Sequence, residues 1–265
     1  MCLLVLAWQT HPRYRLVVAA NRDEYHERPA APLAPWPPPG EIIAGRDLRA
    51  GGTWLGLDRA RRFGVVTNFR ELQRPKPRAP SRGELIPRYL AAHAGGAGSA
   101  ADFFATLAAD AGHYSGFNLL LADTSSMWYG SNRAASFAHE LPPGVYGLSN
   151  ELLDTPWPKL QRVRAGFEAW LSASPPQPSA ALFALLADRT PAADHLTSHD
   201  TGGLPPEWAR ALSAPFVHHP VYGTRCSTVV LLQHSGALYI AERRFDAGGE
   251  PSGETEFTLN AGEWA

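Results

Sequence analysis

The sequence predicts an α+β sandwich. Strand-like segments gather at both ends of the chain and helical segments in the middle, in the order strands, helices, strands, helices, strands. The strict alternation of a doubly wound parallel sheet is missing. No internal repeat occurs and no linker is polar enough to divide the chain, so residues 1–265 read as one domain.

The elements follow from local pattern. "LLVLAWQ" and "RLVVAANRD" are rich in branched apolar residues and are joined by the short, proline-bearing "THPRY", which reads as an antiparallel hairpin. Arg28 to Gly40 ("RPAAPLAPWPPPG") carries too much proline for strand or helix and is expected to be a packed loop or flap. "EIIAGRD", "GGTWLGLDR" and "RFGVVTNFR" continue as strands, followed by a basic, proline-rich surface loop, "ELQRPKPRAPSR". "RGELIPRYLAAHA" follows Ser81, with Glu84 three residues on, the pattern of a capping box. "SAADFFATLAADAGHY" repeats apolar residues at helical spacing after a capping Ser99. "GFNLLLADTSSMWYGSN" and "GVYGLSN" return to strand, and "PWPKLQRVRAGFEAWLSA" and "SAALFALLADR" to helix. Asp194 to Val221 reads as irregular. The chain closes with a hairpin over "HSG" and a last strand, "TEFTLN".

Composition excludes several classes. A 45% hydrophobic content suits an ordinary core, and the net charge of −1 predicts no bulk attraction to nucleic acid or an anionic membrane. Two cysteines, Cys2 and Cys226, are too few for a disulfide framework and lack metal or haem-attachment spacing. The opening segment lacks a basic n-region and breaks at Gln9–Thr10, unlike a secretory signal, and no apolar run approaches the roughly 20 residues of a membrane span. A cytoplasmic location is the expectation. His195, His199, His218 and His219, with Asp194 and Asp200, fall in a segment broken by Pro191, Gly202 and Gly203, so no metal site is expected.

The opening "MCLLVLAWQT" poses the main chemical question. Cys2 is either a small core residue or, after removal of Met1, a thiol and a free α-amine on one residue, a nucleophile with its own base. In "NRDE", strand alternation puts Asn21 and Asp23 on one face and Arg22 and Glu24 on the other, and a hairpin brings one of these pairs beside Cys2. Asn68, Asn150 and Arg225 stand where strands meet loops and offer the donors an acyl-transfer site needs. Gly51, Gly52 and Gly56 around Trp54 suit a tight turn with an aromatic plug.

These motifs together resemble one family. "NRDE" (Asn21–Glu24), "GGTWLG" (Gly51–Gly56), "TN" (Thr67–Asn68), "RGEL" (Arg82–Leu85), "GFNL" (Gly116–Leu119), "YGLSN" (Tyr146–Asn150), "TPWPK" (Thr155–Lys159), "YGTR" (Tyr222–Arg225) and "ER" (Glu242–Arg243) occur in order. They are similar to the NRDE family, also called the transport and Golgi organisation protein 2 family. The resemblance implies an N-terminal-nucleophile hydrolase-like fold, a four-layer αββα sandwich of two antiparallel sheets between helical layers. It extends more distantly to cysteine amidases acting on penicillin V, bile salts and N-acyl lipids. By that resemblance Cys2 is the nucleophile, Asp23 its orienting aspartate, Asn68 and Asn150 oxyanion donors and Arg225 a late active-site arginine. Arg22 departs from the amidase spacing. Asn21, Arg22, Glu24 and Trp54 are the candidate substrate contacts.

Two function classes remain open. One is hydrolysis of an acyl amide, ester or thioester of a hydrophobic small molecule, with no cofactor required. The other, also implied by the resemblance, is a non-catalytic protein that carries haem or handles acyl-CoA and lipid in the same cleft. Trp8, Trp36, Trp54, Trp128 and Trp157 are available to line such a cleft or to pack the core.

Overall fold

The computed structural model describes residues 2–37, 41–71, 79–91, 98–173, 178–193 and 204–264. Alternation sets the architecture. In β1 (Cys2–Trp8) and β2 (Tyr14–Tyr25), Leu4, Leu6, Leu16 and Val18 point to one side and Leu3, Val5, Val17 and Ala19 to the other. Both sides are apolar, so this hairpin can only lie in a sheet covered on both faces. β1 and β2 pair antiparallel with Cys2 opposite Arg22.

The first sheet runs β10 (Gly144–Leu148), β1, β2, β12 (Tyr222–Gln233), β13 (Leu238–Phe245), β14 (Pro251–Leu259), with the short β11 (His218–His219) pairing β12. The second runs in chain order through β3 (Ala30–Pro35), β4 (Ile42–Asp47), β5 (Leu55–Asp58), β6 (Phe63–Asn68), β7 (Phe117–Ala122), β8 (Met127–Ser131) and β9 (Ala138–Glu140).

Three apolar clusters define the layers. Between the sheets, Leu4, Leu6, Leu16 and Val18 meet Leu57, Phe63, Val65 and Leu120. Outside the first sheet, Leu3, Val5 and Val17 meet Leu160, Val163 and Phe167 of α3 (Pro158–Ala173) and Leu182 of α4 (Pro178–Leu186). Outside the second, Val66, Leu119 and Leu121 meet Leu85, Ile86 and Tyr89 of α1 (Leu85–Ala91) and Phe104 of α2 (Ala100–Leu107). The result is the αββα sandwich. Each fully buried Leu or Phe contributes about 1.5–3 kcal/mol, so packing rather than propensity holds helices as short as α1 and α2. Among the described residues no helix is long and apolar enough to cross a membrane.

Local readings are corrected in four places. The proline-rich Arg28–Gly40 stretch contains strand β3, which lies at the sheet edge, where proline removes no needed donor. Its pairing with β4 is irregular between Ala31 and Ala34, on either side of Pro32. At Ser81 the hydroxyl accepts from Gly83 N at 3.3 Å and caps a 3-10 turn, Arg82–Glu84, while Glu84 accepts from the Tyr114 hydroxyl, so no capping box forms. α2 begins at the expected Ser99 cap but stops at Leu107, and Asn132 Nδ2 donates to Ala111 O at 2.9 Å beyond its end. The segment read as irregular holds α5 (Pro206–Leu212) and β11. His195, His199, Asp194 and Asp200 lie outside the described residues, as does Met1.

Candidate active site

The site forms where the polar ends of β1, β2 and β6 open the gap between the sheets. Cys2 shares the intersheet face with Leu4 and Leu6, so its side chain points into that gap rather than toward α3. It lines a cleft of about 380 Å³ with Arg22, Asp23, Glu24, Trp54, Asn68 and Arg82.

Two residues after β10 clamp Cys2. Its backbone N donates to Asn150 Oδ1 at 3.1 Å, and its carbonyl accepts from Ser149 Oγ at 3.2 Å. Asn150 is itself immobilised: Nδ2 donates to Asn68 O at 3.0 Å, and its carbonyl accepts from Arg70 N at 2.6 Å. Asn118, buried on β7, donates to Glu151 O at 2.8 Å and fixes the chain just beyond. Asn150, expected as an oxyanion donor, therefore presents its carbonyl oxygen to the amide that begins β1. The Asn68 side chain is exposed at the cleft.

β2 divides its polar residues by face, as alternation predicts. Arg22 and Glu24 point into the cleft, where the Arg22 guanidinium stacks 4.4 Å from the Trp54 ring centre and lies 3.8 Å from Glu24 Oε2. Glu24 also reaches Arg28, which binds Asp47 Oδ2 through Nη2 at 2.6 Å. Asp23 accepts from Thr224 Oγ1 at 2.7 Å. Asn21 lies on the other side of the sheet: its Nδ2 donates to Leu186 O and Pro215 O, both at 2.9 Å, and its Oδ1 accepts from Ser227 Oγ. Those bonds tie β2 to the end of α4 and leave Asn21 outside the cleft.

Arg225 is not brought to Cys2. A register shift between Thr224 and Cys226 takes it out of the ladder, and its Nη1 lies 3.0 Å from His26 Nδ1. Of the tryptophans, Trp54 lines the cleft, while Trp8 packs between the sheets. Trp54 sits there because of two glycines. Gly51 holds φ at +79°, and a side chain on Gly52 would run into the Gly83 backbone, so the turn packs directly on the segment that carries Arg82. Arg82 donates from Nη1 to Gly116 O at 2.9 Å.

The cleft is mixed in charge, with carboxylates and guanidinium groups side by side. Burial raises the Cys2 thiol above its usual range and the Asp23 carboxylate adds to the rise, against the chain's amino-terminal charge, the Asp23 backbone N–H and the Arg22 charge. Burial also raises the Asp23 carboxyl, opposed by the chain's amino-terminal charge and then by Lys159, Thr224 and Arg22. The sequence pattern by itself does not single out Lys159, Arg82, Arg28 or Asp47. Lys159 and Arg82 lie inside the motifs "TPWPK" and "RGEL", but nothing in those short stretches says which way the side chains point. Among the described residues no cluster of His, Cys, Asp and Glu could hold a metal ion.

An αββα sandwich of two antiparallel sheets, with a cysteine heading an inner strand and its amide held by an asparagine just beyond the neighbouring strand, is consistent with an N-terminal-nucleophile hydrolase-like fold. The sequence profile described as "Transport and Golgi organisation 2" matches residues 1–247, and the chain belongs to that family. It is 32% identical to the Transport and Golgi organization protein 2 homolog of Bos taurus, over 95% of each chain. It is 31% identical to the human homolog, over 98% of this chain and 100% of that one. The Drosophila melanogaster protein is 28% identical, over 96% of this chain and 95% of its own.

Proposed function

We propose that this chain is an N-terminal-cysteine hydrolase-like protein acting on an acyl amide, ester or thioester of a hydrophobic small molecule. The observation that carries this reading is the 3.1 Å hydrogen bond from the Cys2 backbone N to Asn150 Oδ1, on a residue that lines the intersheet cleft. Once Met1 is removed, that nitrogen becomes a free amine held by an acceptor.

In this mechanism the Cys2 thiol attacks the acyl carbon and its proton passes to the α-amine. The Asn68 amide receives the oxyanion. Collapse breaks the bond to the leaving group, which takes the proton from the amine. Water then attacks the thioester with the same amine as base, releasing the acid and restoring the thiol. A thiol kept neutral by burial suits this sequence, because the base sits on the same residue. Trp54 and Val66 offer the cleft's apolar surface, and Arg22 and Arg82 its cationic one.

Intact-mass measurement of the purified protein comes first, since retained Met1 leaves no amine on Cys2. A screen of acyl amides, esters and thioesters then compares wild type with Cys2→Ala. Turnover that vanishes in Cys2→Ala is the expected result; no turnover, or turnover unaffected by the substitution, overturns the reading. The apolar surface of Trp54 and Val66 beside the cationic Arg22 and Arg82 favours a second reading, a cleft that binds haem or acyl-CoA without chemistry. A carrier keeps its ligand affinity in Cys2→Ala.

A further inference from the structure

Lys159 stands in the first turn of α3, is 4% exposed, and its Nζ has no hydrogen-bond partner among the described residues. Such a group is unusual here. Of the 24 basic residues only Lys76 and Lys159 are lysines, and a buried ammonium without hydrogen bonds forfeits more than the roughly 1–3 kcal/mol of an unmet neutral donor. Packing alone would be served better by an apolar residue of the same length.

The charges around it explain the choice. Asp23 from β2 and Cys2 from β1 attract it, and Arg70, just after β6, opposes it. Facing Cys2 are the chain's amino-terminal charge, Asp23 and Arg22 on β2, Arg82 from the 3-10 turn before α1 and Cys226 on β12. Cys2 points between the sheets and α3 lies outside them, so Lys159 reaches the thiol only through Asp23 and the head of β1. An aspartate beside an amine has two effects. It orients the amine, and it favours the ammonium, which cannot accept a proton. A cation on the far side of the carboxylate cancels the second effect and leaves the first.

We propose that Lys159 is a positioning residue of the Cys2 site: it sets a positive charge against Asp23, so that Asp23 orients the leading amine without locking it as an ammonium. The purpose of this charge rests on the hydrolase reading; its test does not. A lysine suits the role because it is a compact charge, whereas an arginine fork demands several acceptors that this position lacks.

The test reads the thiol directly. Alkylation of Cys2 by iodoacetamide is followed by peptide mapping from about pH 6 to about pH 10, a range spanning amine and thiol titration; the mapping separates Cys2 from the buried Cys226. Lys159→Met is expected to raise the midpoint by about one unit and slow alkylation about tenfold near neutrality. Asp23→Asn, which leaves the lysine charge alone, lowers the midpoint. Asp23→Asn/Lys159→Met removes both charges and returns it to the wild-type value, which keeps the test decisive should Lys159→Met fail to fold. An unshifted Lys159→Met midpoint, or a double variant displaced as far as Lys159→Met, overturns the proposal. A shifted midpoint in a protein that turns over no acyl compound instead removes the hydrolase reading and leaves the role of Lys159 standing.

Discussion

Two buried cations, one behind each sheet, are held in opposite ways. Arg62, just before β6, meets an acceptor with each guanidinium nitrogen: Nε donates to Asp58 Oδ2 at 2.7 Å, Nη1 to Gly98 O at 3.3 Å, Nη2 to Leu90 O at 2.5 Å, and the guanidinium lies over the Tyr89 ring. Lys159, behind the other sheet, is as deeply buried and makes no hydrogen bond with a described residue. A charge that serves the fold is surrounded by acceptors, because desolvation is offset only when its donors are met. A buried charge whose donors stay unmet, and which is attracted by a carboxylate and a thiol, fits a role in their chemistry instead.

The largest expected effect tests the structural half of that contrast. Arg62→Met strands the carbonyls of Leu90 and Gly98 and half of Asp58, and should cost about 3–5 kcal/mol in urea unfolding. Lys159→Met gives up no hydrogen bond and relieves a buried charge, while Asp23 keeps its bond from Thr224 and the charge of Arg22, so the change in stability should stay within about 1 kcal/mol. Equal losses in the two variants would break the comparison. Arg62→Met should also leave the pH midpoint of Cys2 alkylation where it is.

An intermediate effect sharpens the chemical half. Asn150→Ala removes the acceptor of the Cys2 N–H and a donor to Asn68, and should cost about 1–3 kcal/mol. Unlike Arg62→Met it should change the Cys2 alkylation profile, because it frees the head of β1.

The smallest effect comes from the half-open ion pair at the cleft rim. Burial works against ionisation of Asp47, but hydrogen bonds from Arg28 and from the N–H groups of Arg49 and Ala50 hold its carboxyl below the usual range. A depressed carboxyl stabilises the fold above the unfolded value near ~3.9 and loses that contribution as pH falls through the folded one. Asp47→Asn should therefore cost about 1 kcal/mol near neutrality. The gap from wild type should close below about pH 4 in thermal melts. A gap that stays constant with pH would show that Asp47 acts through packing alone.

The legible part of the molecule is the part governed by short periods. Alternation located β1, β2, β12 and β13 and separated Asn21 and Asp23 from Arg22 and Glu24. Strand β3 is not legible locally, because proline counts against a strand only where a donor is needed, and edge position is a property of the whole sheet. Arg225 was nominated from its place at a strand end, but the bulge at Thr224–Cys226 turns it to His26. Lys159 and Arg82 carry no local signal, because their importance lies in burial and in what faces them.

By itself the sequence determined the layer composition, the hairpin that puts Cys2 beside the NRDE segment, and the family to which the chain belongs, since each rests on local period or ordered motifs. Only the tertiary structure decided that Asn150 holds the amide of Cys2, that Asn21 ties β2 to α4, and that Lys159 backs Asp23. Those roles depend on residues more than a hundred positions apart meeting across a sheet, where distance and desolvation, rather than neighbours in the chain, set what a side chain does.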